Sequence, residues 1–213
     1  MIEIASSLTL VKASQHLAKH DDTLKSIIIS AGVASIAPHT NYYQSLVESI
    51  VSQQLSVKAA DTILRRFIEL FSVNDFPRPE EILKKDIEEL RSVGLSRQKG
   101  AYIQDLALKV IGGTLQFDHF EALTNEAIVT ELTNVKGVGV WTAHMFLIFC
   151  MGRLDVLPYG DLGIKNGIKR LYGFENTPTI EQMQYISRNN NWHPYESIAS
   201  WYVWYSLNNK PSL

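Results

Sequence analysis

The chain is poor in cysteine, in glycine and proline, in charge of one sign and in long apolar runs. Each shortage excludes something. Its 213 residues contain one cysteine, Cys150. A disulfide framework is therefore ruled out, as is any site needing two or more thiolates, a four-cysteine iron–sulfur cluster included. With 12 Gly and 7 Pro there is no linker-rich or low-complexity stretch. Lys and Arg number 20 against 22 Asp and Glu, and the net charge of −2 argues against a bulk electrostatic grip on nucleic acid. A local grip stays open. The longest clean apolar run, 145–151, falls far short of the roughly 20 residues that span a bilayer, so no membrane association is expected. The opening MIEIASSLTLVK has Glu3 where a signal peptide needs basic residues and lacks the arginines of a transit peptide. The expected setting is intracellular.

What is present is the composition of a folded protein, 46% hydrophobic and 20% charged, with apolar residues enough for a sizeable core. The length suits one domain or two small lobes sharing a core. Apolar residues recur mostly at a helical period. Tyr43, Leu46, Val47, Ile50, Val51 and Gln54 step by three and four. So do Ala60, Ile63, Leu64, Phe67, Ile68 and Phe71, and again Tyr102, Ile103, Leu106, Ala107, Val110 and Ile111. Pro77 and Pro79 break the chain, and Asp86 opens a short helix that Gly94 closes. Further helices are predicted over about 125–132, 140–151, 162–172 and 194–207. Strand-like alternation is almost absent. The fold class read from the sequence is all-α.

Between two of these helices lies Asn134-Val135-Lys136-Gly137-Val138-Gly139. Glycine tolerates positive φ and lets a partner approach the backbone, and both properties are expected at Gly137 and Gly139. A helix starting at Val140 directs its first N–H groups back toward the turn, where backbone dipoles can bind a phosphate without a basic surface. An ordinary ligand-free turn between helices gives the same pattern. Asp161 stands where an N-cap belongs, ahead of a helix from Leu162.

The wider context is more specific. Leu132-x-x-Val135-Lys136-Gly137-Val138-Gly139-x-Trp141-Thr142-Ala143, followed by Pro158-x-x-Asp161, resembles the helix-hairpin-helix DNA glycosylase superfamily. Ser52-Gln53-Gln54-Leu55 with Lys58-Ala59-Ala60, Gly94-Leu95-Ser96 with Lys99, and Trp192-x-Pro194-Tyr195 extend the match in family order from about Tyr42. The branch it looks most similar to is the AlkA-like 3-methyladenine DNA glycosylases, of the compact fungal type. The resemblance implies one compact helical unit over 1–213, made of two lobes with a DNA-binding cleft between them. One lobe, 42–157, contains the hairpin; 1–41 and 158–213 form the other.

The same resemblance implies roles. Asp161, twenty residues after Trp141, would be the catalytic carboxylate that stabilises positive charge on the sugar and orients water, unless it only caps its helix. Trp141 stands where strand-cutting relatives carry a Schiff-base lysine, so the activity would be monofunctional, without lyase chemistry. Trp141, Tyr159 and Trp204 would offer flat faces to a flipped alkylated base, the alternative being core packing. Leu55 would wedge into the minor groove, with Gln53 or Gln54 meeting the orphaned base and Ser56 and Lys58 beside them; Leu55 buried at a helix end is the other reading. Lys99, Val135, Lys136, Gly137, Val138 and Gly139 would contact the DNA backbone. Carbonyls of Thr133, Val135 and Gly137 would hold an alkali cation, Na+ or K+, and no organic cofactor or iron–sulfur cluster is implied.

There are departures too. Gly160 stands where relatives often have a second acidic residue. Glu196 stands where they place Arg, which would add repulsion on a DNA-facing side, and Ser56 is smaller than some relatives' residue. Two functions follow from the resemblance: an alkylbase DNA glycosylase, or a catalytically silent homologue that recognises and shields abasic sites. A helical protein–protein scaffold is a remote third. The implied partner is double-stranded DNA with alkylated bases or abasic sites, bound by a monomer; the silent homologue would hand abasic sites on to other repair proteins. That places it in the nucleus of a eukaryote, or at the cytoplasmic nucleoid otherwise.

Overall fold

The computed structural model describes residues 4–71 and 75–208. Two helices that periodicity does not single out come first, α1 (Ser7–His20) and α2 (Asp22–Ala31). Then follow α3 (Tyr42–Ser52), α4 (Val57–Glu69), α5 (Pro79–Leu83), α6 (Ile87–Ser92), α7 (Arg97–Ile111) and α8 (Asn125–Thr133). Next is α9 (Val140–Met145), which continues into a wider π-type turn over Phe146–Cys150. The chain closes with α10 (Leu162–Leu171), α11 (Ile180–Asn189) and α12 (Glu196–Asn208). Among the described residues the β-type pairing is confined to an isolated bridge between Ile4 and Arg153. The protein is all-α. No described helix is long and apolar enough to cross a membrane.

Helix starts follow polar side chains that satisfy orphan N–H groups. Ser56, Ser96, Thr124 and Thr179 cap α4, α7, α8 and α11. Asp86 and Glu89 form a reciprocal capping box on α6, and Gly94 leaves that segment at a φ of +106°. Pro79 opens α5 at a position whose N–H needs no partner.

The chain divides into two compact units, Asn41–Ala143 and Met1–Thr40 with His144–Leu213. The division expected at Leu157 thus falls inside α9 instead. Residues 144–157 bond to distant parts of their own unit. The Ala5 N–H donates to the Gly152 carbonyl at 2.8 Å, the His39 N–H to that of Cys150 at 3.0 Å, and the Ser197 hydroxyl to that of Arg153 at 2.7 Å. In the unit from Asn41, α3, α5 and α6 pack on α7, and Leu46, Ile50, Leu90, Ile103 and Leu106 are wholly buried. In the other, α12 packs on α10, α2 and α1. Gly167 permits the α10–α12 approach, since a Cβ there would stand 2.3 Å from Val203 Cγ1.

Candidate functional site

The hairpin runs from the end of α8 to the start of α9. Val135 and Val138 are buried, and the Val138 N–H closes the turn on the Val135 carbonyl at 3.0 Å. Gly137 has a φ of +82°, and a Cβ on it would lie 2.0 Å from the Tyr102 ring. Only glycine fits there. Gly139 differs from expectation: it is not among the positive-φ residues, and a Cβ would meet nothing within 4 Å. Its open side is a place where another molecule's backbone can approach, while its carbonyl accepts from the Ala143 N–H at 3.0 Å to start α9.

Asp105 on α7 braces this turn. Its Oδ2 accepts from the Lys136 N–H at 2.9 Å and from Lys109 Nζ at 2.9 Å, and Lys136 Nζ lies 3.7 Å from Oδ1. Burial pushes the carboxyl up, but the Lys136 N–H, Lys109 and Lys136 together outweigh it and hold its pKa below the ordinary value. The Lys136 side chain is 73% exposed, so its ammonium remains accessible to an anion.

The turn between α3 and α4 belongs to the same unit. Gln54 is exposed at a φ of +57°, and Leu55 is 39% exposed, which excludes the reading of Leu55 as a core residue. Ser56 and Lys58 are exposed as well. Two other expected DNA contacts are engaged within the protein. Gln53 Nε2 donates to the Gly137 carbonyl at 2.8 Å. Lys99 Nζ donates to the carbonyls of Val51 at 2.8 Å and Gln53 at 2.6 Å, and burial holds its pKa below the ordinary lysine value. As the structure places them, Gln53 and Lys99 are internal struts: Lys99 supplies donors to carbonyls at the end of α3, and Gln53 supplies one to the hairpin.

In the other unit Asp161 caps α10, Oδ1 accepting from the Ile164 N–H at 2.8 Å. The same oxygen accepts from Trp204 Nε1 at 2.9 Å. Trp204, expected as a stacking face, leans on Phe149 at 5.7 Å between ring centroids, so its contacts are those of a support for the carboxylate. Gly163 makes room for this pairing: a Cβ there would lie 3.0 Å from Asp161 Oδ1 and 3.1 Å from Trp204 Cδ1. Tyr159 is half-buried, edge-on to His144 at 4.9 Å. Burial lowers the pKa of His144, which favours the neutral imidazole. Trp141, 47% exposed, lies on the first turn of α9 in the hairpin unit.

Glu196 corrects another expectation. Its side chain is only 12% exposed, with Oε1 3.2 Å from His193 Nδ1. Burial raises its pKa. It is not a surface charge set to repel DNA. Tyr102, Asp105 and Gly163 carry no signal of these roles in the sequence, because Tyr102 and Asp105 act on a hairpin some thirty residues on and Gly163 faces Trp204; the Asp-x-Gly spacing at 161–163 is the one local hint.

The sequence profile of the HhH-GPD superfamily of base excision DNA repair proteins matches residues 47–191. The chain belongs to that superfamily. It is 35% identical to DNA-3-methyladenine glycosylase 1 of Schizosaccharomyces pombe, over 95% of this chain and 89% of that protein. To the alkylbase DNA glycosidase-like protein mag2 of the same organism it is 32% identical, over 91% and 92%. Among solved structures, the S. pombe 3-methyladenine DNA glycosylase in complex with abasic DNA superposes with a TM-score of 0.78 at 34% identity, covering 92% of this chain and 96% of that one. A DNA-3-methyladenine glycosidase from Bacillus halodurans gives 0.82 at 36% identity, covering 92% and 89%. These relatives bear out the resemblance to AlkA-like glycosylases read from the motifs.

Proposed function

We propose that the protein is a monofunctional alkylbase DNA glycosylase that binds damaged duplex DNA and releases an alkylated base. The observation that carries this reading is Asp161, a carboxylate held on one oxygen by the Ile164 N–H and the Trp204 indole. A carboxylate so fixed is preorganised to stabilise an oxocarbenium-like sugar. As the bond from C1′ to the base nitrogen breaks, water adds its oxygen to C1′. A cationic alkylated purine then leaves neutral, and the water's surplus proton passes to Asp161. Trp141 lacks the amine for a Schiff base, so the product is an abasic site with the strand intact. Its exposed indole offers a face to an electron-poor base. The hairpin, with Gly139 open and Lys136 exposed, takes a backbone phosphate. Carbonyls of Thr133, Val135 and Gly137 suit a hard cation. Those of Val135 and Gly137 already accept one hydrogen bond each, which leaves each a second lone pair. A bound alkali ion would add positive charge near that phosphate.

Asp161→Asn tests the reading cleanly, because the amide oxygen can still accept both hydrogen bonds while the charge is lost. Base release from alkylated DNA should fall roughly 10²–10³-fold. Abasic-site affinity should hold or rise, and stability should drop by at most about 1 kcal/mol. Unchanged release in the variant removes Asp161 from the mechanism. The second reading, a damage binder without catalysis, draws on Gly160, which stands where the family resemblance places a second acidic residue. It predicts abasic-site binding with negligible base release by the wild-type protein.

A further inference from the structure

We infer that Gln53 and Lys99 are positioning residues that tie the exposed Leu55 turn to the hairpin, so that seizing a phosphate and probing the base stack are one coupled act. This rests on the proposed function and deepens it. Gln53 caps the C-terminal end of α3 and is the first residue of the turn that presents Gln54 and Leu55. Its side-chain amide reaches across to the Gly137 carbonyl at 2.8 Å, at the one hairpin residue whose φ and packing against Tyr102 leave it no freedom. Lys99 fastens the same turn from α7, with one ammonium donating to the carbonyls of Val51 and Gln53. The α7 helix also supplies Tyr102 beneath Gly137 and Asp105 beneath Lys136. Turn and hairpin are therefore seated on the same helix and joined directly by Gln53. A phosphate that fixes the hairpin fixes the reach of Leu55.

The struts should matter where Leu55 must insert and little where it need not. For Gln53→Leu, which keeps bulk and loses the donor, affinity for abasic-site duplex should fall roughly three- to tenfold, the scale of one lost hydrogen bond. Affinity for intact duplex should stay within twofold. Lys99→Met should behave alike, and Lys99→Arg, which keeps two donors, should restore discrimination. In a double-mutant cycle, Gln53→Leu with Leu55→Ala should lose far less than the product of the single losses. Equal losses on both DNAs, or multiplicative losses in the cycle, with circular dichroism and melting unchanged, overturn the coupling while the functional reading stands. Should Lys99→Met unfold, Gln53→Leu decides alone. A wild-type protein with no preference for abasic over intact duplex overturns the functional reading and the coupling together.

Discussion

At Gly137 an added methyl would stand 2.0 Å from the Tyr102 ring at a φ of +82°, and at Gly139 it would meet nothing within 4 Å. Gly137→Ala should therefore cost about 2–3 kcal/mol in urea unfolding, from the backbone strain and the clash. Adding Tyr102→Ala should recover part of that loss. Gly139→Val should leave the melting temperature nearly unchanged and weaken DNA binding by blocking the open side. Equal destabilisation at both positions would contradict this division. Asp105, beneath the same hairpin, has a pKa lowered on folding. Its contribution to stability is thus present above the ordinary aspartate pKa and lost as pH falls through the lower folded value. Phosphate binding by the hairpin should persist at pH 5 and fail only below about pH 4. Asp105→Asn should abolish that acid transition, and its persistence in the variant would assign it to another group.

Helix α10 presents glycine at 163 and 167 to α12, and the two positions do different things. At 167 a Cβ would sit 2.3 Å from Val203 Cγ1, so Gly167→Ala should lower stability by roughly 1–3 kcal/mol, with Val203→Ala compensating. At 163 the nearest atoms are Asp161 Oδ1 and the Trp204 ring at 3.0–3.1 Å, a crowding that a shift of a few tenths of an ångström relieves. Gly163→Ala should therefore spare the melting temperature and reduce base release about tenfold, because the carboxylate loses its alignment. Full activity in Gly163→Ala would mean that the indole contact is dispensable.

On the scale of the whole molecule, a net charge of −2 gives the chain no bulk attraction to DNA, and its grip on phosphates is a local one. The log–log slope of affinity against salt should correspond to only about two to four contacts, far from that of a basic protein. A steeper slope would reveal a cationic surface that composition conceals. Much of the architecture is legible in the sequence where apolar steps are strong, as in α3 and α7, and where a polar cap stands in place, as at Asp86 and Asp161. The buried faces of α1 and α11 include Ser14 and Ser187, which carry no hydrophobic signal, so those helices escape a reading by periodicity. The hairpin and Asp161 are legible because their motifs are local. The placements of Gln53, Lys99 and Glu196, and the bracing by Asp105, depend on partners that folding alone brings near. One consequence is optical and magnetic. The four tryptophans occupy four distinct settings: Trp141 exposed, Trp192 buried and donating to Asp21, Trp201 buried with no acceptor among the described residues, and Trp204 donating to Asp161. Their indole N–H resonances should separate without labelling tricks, with Trp192 slowest to exchange with deuterium. The Trp204 signal should then report on its Asp161 acceptor, and under the proposed function Trp141 emission should change when a base arrives.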